Sequence, residues 1–151
     1  MKEHQKLGRI LFGVYCAVML YLLFFQRTPH FTANNGYLGT MRDNLNIIPF
    51  DTIARYLRLW SGSGLSHKAR ANLLGNVVLF VPLGFFLPWV HEKLRKFWRT
   101  LLVSVGLILL VEGIQLVTLL GHCDVDDLIL NVVGVVIGYV IWRLIEMKDP
   151  D

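Results

Sequence analysis

Hydrophobic residues in this chain fall in long unbroken blocks rather than with the period of a strand or of a surface helix. The first block runs from about Ile10 to Phe25. The second begins near Asn72 and continues through LLGNVVLFVPLGFFLPWV to Val90, the third covers about Phe97 to Leu120, and the fourth about Leu128 to Ile145. Each approaches the roughly 17 to 25 residues that an α-helix needs to cross hydrocarbon. The expected fold is therefore all-α: a four-transmembrane-helix bundle forming a single domain over residues 1–151. The first block lacks a small-residue cleavage site at its end, so it reads as a retained span rather than a signal peptide.

Between the first two spans lies a long connection, Gln26 to Ala71, with a pattern of its own. After Pro49 and Phe50, Asp51 is placed to cap a helix in which Ile53, Tyr56, Leu57 and Trp60 share one face and Arg55 and Arg58 the other. Such a helix belongs in the headgroup layer of a bilayer. The run Ser61-Gly62-Ser63-Gly64 ends it, and Ser66 is placed to cap the helix that re-enters the membrane.

Composition sharpens this picture. Of 151 residues, 54% are apolar and only 17% charged, with two cysteines. A soluble domain carries about a quarter charged residues. Disorder and a disulfide-stapled module are excluded by the same figures. The net charge of +4 arises from Lys and Arg scattered between apolar blocks, which is the pattern of membrane topology rather than of nucleic-acid binding. Lys93, Arg95, Lys96 and Arg99 crowd the short second connection, whereas the third, GHCDVDD, has no basic residue. With Lys2, Lys6 and Arg9 at one end and Arg143 and Lys148 at the other, the positive-inside rule puts both termini in the cytoplasm and the first and third connections outside.

Polar residues inside apolar spans carry the functional signal, since a charge at a helix centre costs about 2.5 to 3.5 kcal/mol on insertion scales. Glu112 is the acid of the third span, and Gln115 lies one turn further on the same face. Both fall in the outer half, about 8 to 12 Å below the helix end at 1.5 Å per residue. Asn72 and Asn76 are four apart at the start of the second span; Asp127 and Asn131 are four apart in the fourth, with Asp124 and Asp126 just above. Turned toward one another, these faces would form an outward-facing polar pocket, because lipid offers them no hydrogen-bond partners. Each amide is equally well an interhelical hydrogen-bonding residue, and Asp127 reads structurally as the cap of the fourth helix.

No metal or other cofactor is expected. His122, Cys123 and the neighbouring aspartates lack the ligand pattern of a known site, and no nucleophile elbow, phosphate loop or HExxH motif is present. Cys16 and Cys123 lie about half a bilayer apart, too far for a disulfide. Gly134 and Gly138, in GVVIG, form a small-xxx-small pair for close helix packing. Pro82 and Pro88, with Gly84, are expected to bend the second span or split its lower half.

Taken in order, NIIPF at residues 46–50, NLLGNVVLFVPLGFFLP at 72–88, ExxQ at Glu112 and Gln115, and DVDDLILNVVG at 124–134 resemble the VanZ-like family over about two-thirds of the chain. Arg42 is the nearest equivalent of a basic residue that usually precedes the NxxPF segment. The resemblance implies a small multi-pass bacterial membrane protein, of a family whose namesake is associated with resistance to the lipoglycopeptide teicoplanin. Carried over by position, the motif residues are Asn46, Pro49, Phe50, Asn72, Asn76, Phe80, Pro82 and Gly84, to which Glu112, Gln115, Asp124, Asp127, Asn131 and Gly134 are added.

Three functions are compatible with these residues. In the first, Asn46, Asn72, Asn76, Glu112, Gln115, Asp124, Asp127 and Asn131 bind the head of a lipidated molecule among membrane lipids, such as a lipoglycopeptide or a lipid-linked cell-wall precursor. The second is an enzyme acting on such a precursor, with Glu112 and Asp127 as acid and base. The third, ion conduction, lacks a polar path through the apolar inner halves of the spans.

Overall fold

The computed structural model describes residues 2–25, 36–60 and 66–148. Its long elements are α1 (Lys2–Leu20), continued by a π-helical turn at Tyr21–Phe25, α4 (Ser66–Val90), α5 (Phe97–Thr118) and α6 (Val125–Lys148). Four helices of this length and apolarity fit a multi-pass membrane protein. They run past the expected spans, since backbone hydrogen bonding does not stop where the apolar block does. Thus α4 starts at Ser66 rather than Asn72, and α6 extends from Val125 to Lys148 rather than from Leu128 to Ile145. In contrast, α5 stops at Thr118, where Leu119 turns into the left-handed region with φ of 56° and donates back to Gln115 and Leu116.

The expected interfacial helix is α3 (Asp51–Trp60). A shorter helix, α2 (Gly36–Asp43), and a two-residue strand, β1 (Leu45–Asn46), precede it and had no counterpart in the apolar pattern. In α3, Ile53 and Tyr56 are half-buried against the bundle while Leu57 points away from it. Asp51 does not serve as the cap: its carboxylate pairs with Arg55 one turn on. The Ser61–Gly64 break and the Ser66 side chain lie outside the described residues.

The core of the bundle is the crossing of α4 on α6. An added Cβ on Gly134 would meet the Val77 carbonyl, one on Gly138 the Val81 carbonyl, and one on Gly84 the Val135 carbonyl, all far inside van der Waals contact. Glycine on both helices lets the backbones touch, so the Cα hydrogens of one face the carbonyl oxygens of the other. Phe80, Leu83, Leu87 and Val135 fill the space beside the crossing, with Ile108 from α5 and Met19 and Leu23 from the α1 segment.

Contrary to the expected split, α4 continues through Pro82 and Pro88. A proline leaves carbonyls of the preceding turn without their usual donors. The Tyr15 hydroxyl donates to the Leu79 carbonyl at 2.8 Å, bracing this stretch of α4 from a neighbouring helix. At the opposite end from α3, a 3₁₀ turn at Glu92–Leu94 joins α4 to α5. There Tyr139 donates to the Arg95 carbonyl at 2.8 Å and Arg95 pairs with Glu146 at 3.2 Å, fastening the basic connection to the end of α6.

Candidate functional site

The site is assembled by two residues of parallel pairing. Strand β1 lies beside β2 (Cys123–Asp124), with Leu45 opposite Cys123 and Asn46 opposite Asp124. The Cys123 N–H extends the ladder to the Asn44 carbonyl at 2.8 Å. This pairing carries the NIIPF segment to the start of α6, where three carboxylates stand in four residues.

Each carboxylate has a different set of donors. Asp124 caps α6, since its Oδ1 accepts the N–H of Asp126 at 2.9 Å. Its Oδ2 accepts the Thr52 hydroxyl at 2.6 Å and the Asn46 amide at 3.2 Å. The cap is therefore Asp124 and not Asp127, because the helix begins earlier than the apolar block. Asp126, with 0% exposure, caps α3 from outside: Oδ1 accepts the N–H of Phe50 and Oδ2 that of Ile53, the latter at 2.9 Å. Asp127 accepts the amide of Asn76 from α4. Two helix N-termini thus converge on this acidic cluster, and their oriented N–H groups stabilise its negative charge.

Asn46 is fully engaged, donating to Asp124 and Thr52 while its Oδ1 accepts the Ile48 N–H at 3.1 Å. Glu112 is buried on α5 at 7% exposure, near enough for its charge to act on Cys123. The Cys123 thiol is pushed above its ordinary range, first by burial and then by the negative charge of Glu112, Asp124 and Asp127. Asn131, one turn below Asp127, is buried at 2% exposure and its Oδ1 has no hydrogen-bond partner among the described residues.

Two expected members lie apart from this arrangement. Gln115 donates to the Leu23 carbonyl at 2.9 Å, tying α5 to the π-helical end of the first span. Asn72, half-buried, makes no side-chain hydrogen bond among the described residues. Asp126 was placed in the connection by its sequence context, yet it is the most buried acid here; the density of acids in DVDD was the available signal. Both cysteines are free. Among the described residues no group of three or more His, Cys, Asp or Glu is arranged to hold a metal.

One chemical consequence can be measured directly. Because its thiol is held mostly protonated at pH 8, Cys123 should react with maleimide more slowly than an exposed cysteine, with the rate still rising above pH 9. Glu112→Gln removes one of the charges responsible and should speed the reaction at pH 8. An unchanged rate would place Glu112 electrostatically out of reach of the thiol.

No curated protein and no solved structure matches the chain. A family model does, over nearly its whole length and across every motif named above. The chain belongs to the VanZ/LLP1 family, whose model matches residues 12–146.

Proposed function

We propose that the protein binds the polar head of a lipidated cell-envelope molecule at the end of the bundle where α3 lies, contributing in a bacterial membrane to protection against lipoglycopeptides such as teicoplanin. The observation that supports this reading is the Asn76–Asp127 hydrogen bond between two membrane helices, with the buried Asn131 one turn along α6, the buried Glu112 of α5 near enough for its charge to act on Cys123, and the α3 segment tied to Asp124 and Asp126. Burying that many polar groups at one level is costly, so a recognition role gives them a reason to be there. Family membership supports the link to glycopeptide resistance. In this reading both termini and the basic α4–α5 connection face the cytoplasm, in keeping with the positive-inside rule.

Most donors and acceptors of the cluster satisfy one another. A ligand head would exchange with Asn76 for Asp127, or meet the buried Asn131 oxygen with a donor. An apolar tail would lie along the lipid-facing surface of the bundle.

A second reading is an enzyme acting on a lipid-linked precursor. Its support is that Glu112 and Asp127 both act on the Cys123 thiol while differing in surroundings, as an acid and base pair must. The same charges disfavour the thiolate, which weighs against Cys123 as the nucleophile of such an enzyme.

Purified protein in nanodiscs should take up labelled lipoglycopeptide about tenfold better than a tail-less glycopeptide, a difference of about 1.4 kcal/mol. In cells matched for protein level, Glu112→Gln should retain protection under the binding reading and abolish it under the enzymatic one. Equal uptake of the two glycopeptides, together with an altered pool of lipid-linked precursors, would replace binding with catalysis.

A further inference from the structure

We propose that the Ile47–Phe50 loop, with Leu57 of α3, is a wedge seated among the acyl chains of the leaflet at that end of the bundle. The inference concerns how the loop meets the bilayer and is independent of which ligand the polar cluster takes.

Four large apolar side chains outside the spans point away from the protein: Ile47 at 73% exposure, Ile48 at 64%, Phe50 at 62% and Leu57 at 57%. In an aqueous loop they would make an exposed apolar patch. The backbone between them is prepared for a medium without water. Ile48 donates to Asn46, Pro49 has no N–H, and Phe50 donates to the buried Asp126 carboxylate.

Phe50 also holds φ at 66°, in the left-handed region that a bulky aromatic residue rarely adopts. Its carbonyl accepts the Ala54 N–H at 2.9 Å, starting α3, while Asp126 grips the N–H groups of Phe50 and Ile53. The strained conformation aims the ring outward, whereas a relaxed residue would let the loop fold back. Strain maintained by a buried carboxylate marks a position where side-chain direction matters.

Depth follows from helix length. The 24 residues of α6 span about 36 Å, some 6 Å more than the hydrocarbon core. With α6 centred on the hydrocarbon, Asp126, its second residue, and the Phe50 N–H bonded to it would lie at the hydrocarbon edge. From there the apolar side chains continue the lipid-facing surface of the spans. The Asp51–Arg55 ion pair and Arg58 are exposed on α3, where lipid phosphates would meet them.

Nitroxide labels would test this in phosphatidylcholine and phosphatidylglycerol vesicles, with the full chain carrying Cys16→Ser and Cys123→Ser. Labels at Ile48→Cys, Phe50→Cys and Leu57→Cys should collide with oxygen severalfold more than with a water-soluble nickel chelate, and a label at Arg58→Cys should show the reverse. Leu57 is exposed and lies two helical turns beyond Phe50, so it remains informative if Phe50→Cys fails to fold. Nickel access at Ile48 and Leu57 would overturn the wedge, as would dipolar broadening between labels showing that a second copy of the chain covers the loop.

Discussion

Replacing Gly138 with alanine should destabilise the bundle by about 3 kcal/mol or more, the upper end for overpacking. The added methyl would strike the Val81 carbonyl and the Phe85 backbone nitrogen, and neither can move aside by a side-chain rotation. Relief requires the two helices to part, which also breaks the contacts at Gly134 and Gly84. Unfolding by denaturing detergent, followed through Trp142, which is buried on the same helix, gives the measurement. A shift below about 0.5 kcal/mol, the range of an ordinary surface change, would mean that α4 and α6 do not meet through their backbones.

The second large effect is expected at Asp126. Hydrogen bonds to a charged acceptor contribute about 1.5 to 3 kcal/mol each, and Asp126 accepts two from backbone donors at the start of α3. Asp126→Ala should therefore release the α3 segment while leaving the four spans assembled, because the pairing of α4 and α6 does not involve it. Hydrogen exchange at the Phe50 and Ile53 amides should accelerate by about two orders of magnitude or more. Protection in the interior of α5 should not change. If both amides remain protected, the loop is held by the surrounding bilayer or by the β1–β2 pairing rather than by this carboxylate.

How much of this was legible beforehand depended on whether a feature is local. The four spans, the amphipathic α3 and the glycine stripe of α6 are written in nearest-neighbour periodicity, because solvent type and helix geometry fix them. The proline readings went half astray: Pro82 and Pro88 mark weak points in α4, but a hydroxyl from Tyr15 and close backing by α6 keep the helix whole. Elements whose stability is tertiary were not legible. The short helix α2 has little apolar pattern, and a two-residue strand exists only because its partner is present.

The same distinction runs through the site. That Asn76 and Asp127 would meet could be read from their matching depth in the bilayer. Which carboxylate caps which helix could not, because Asp124, Asp126 and Asp127 are chemically alike and differ only in what docks above them. Gln115 shares a face with Glu112 in a helical projection, yet a carbonyl at Leu23, 92 residues earlier in the chain, draws it to another contact.

The bridge between Asn46 and Asp124 spans 78 residues, and this separation sets an order of events during biosynthesis. At about 5 to 20 residues per second, a ribosome needs roughly 4 to 16 s to reach the second partner after making the first. Throughout that interval the NIIPF segment lacks the strand with which it pairs. A nascent chain halted before residue 124 would hold inserted helices and a protease-sensitive connection, and the last helix to enter the membrane completes the first loop.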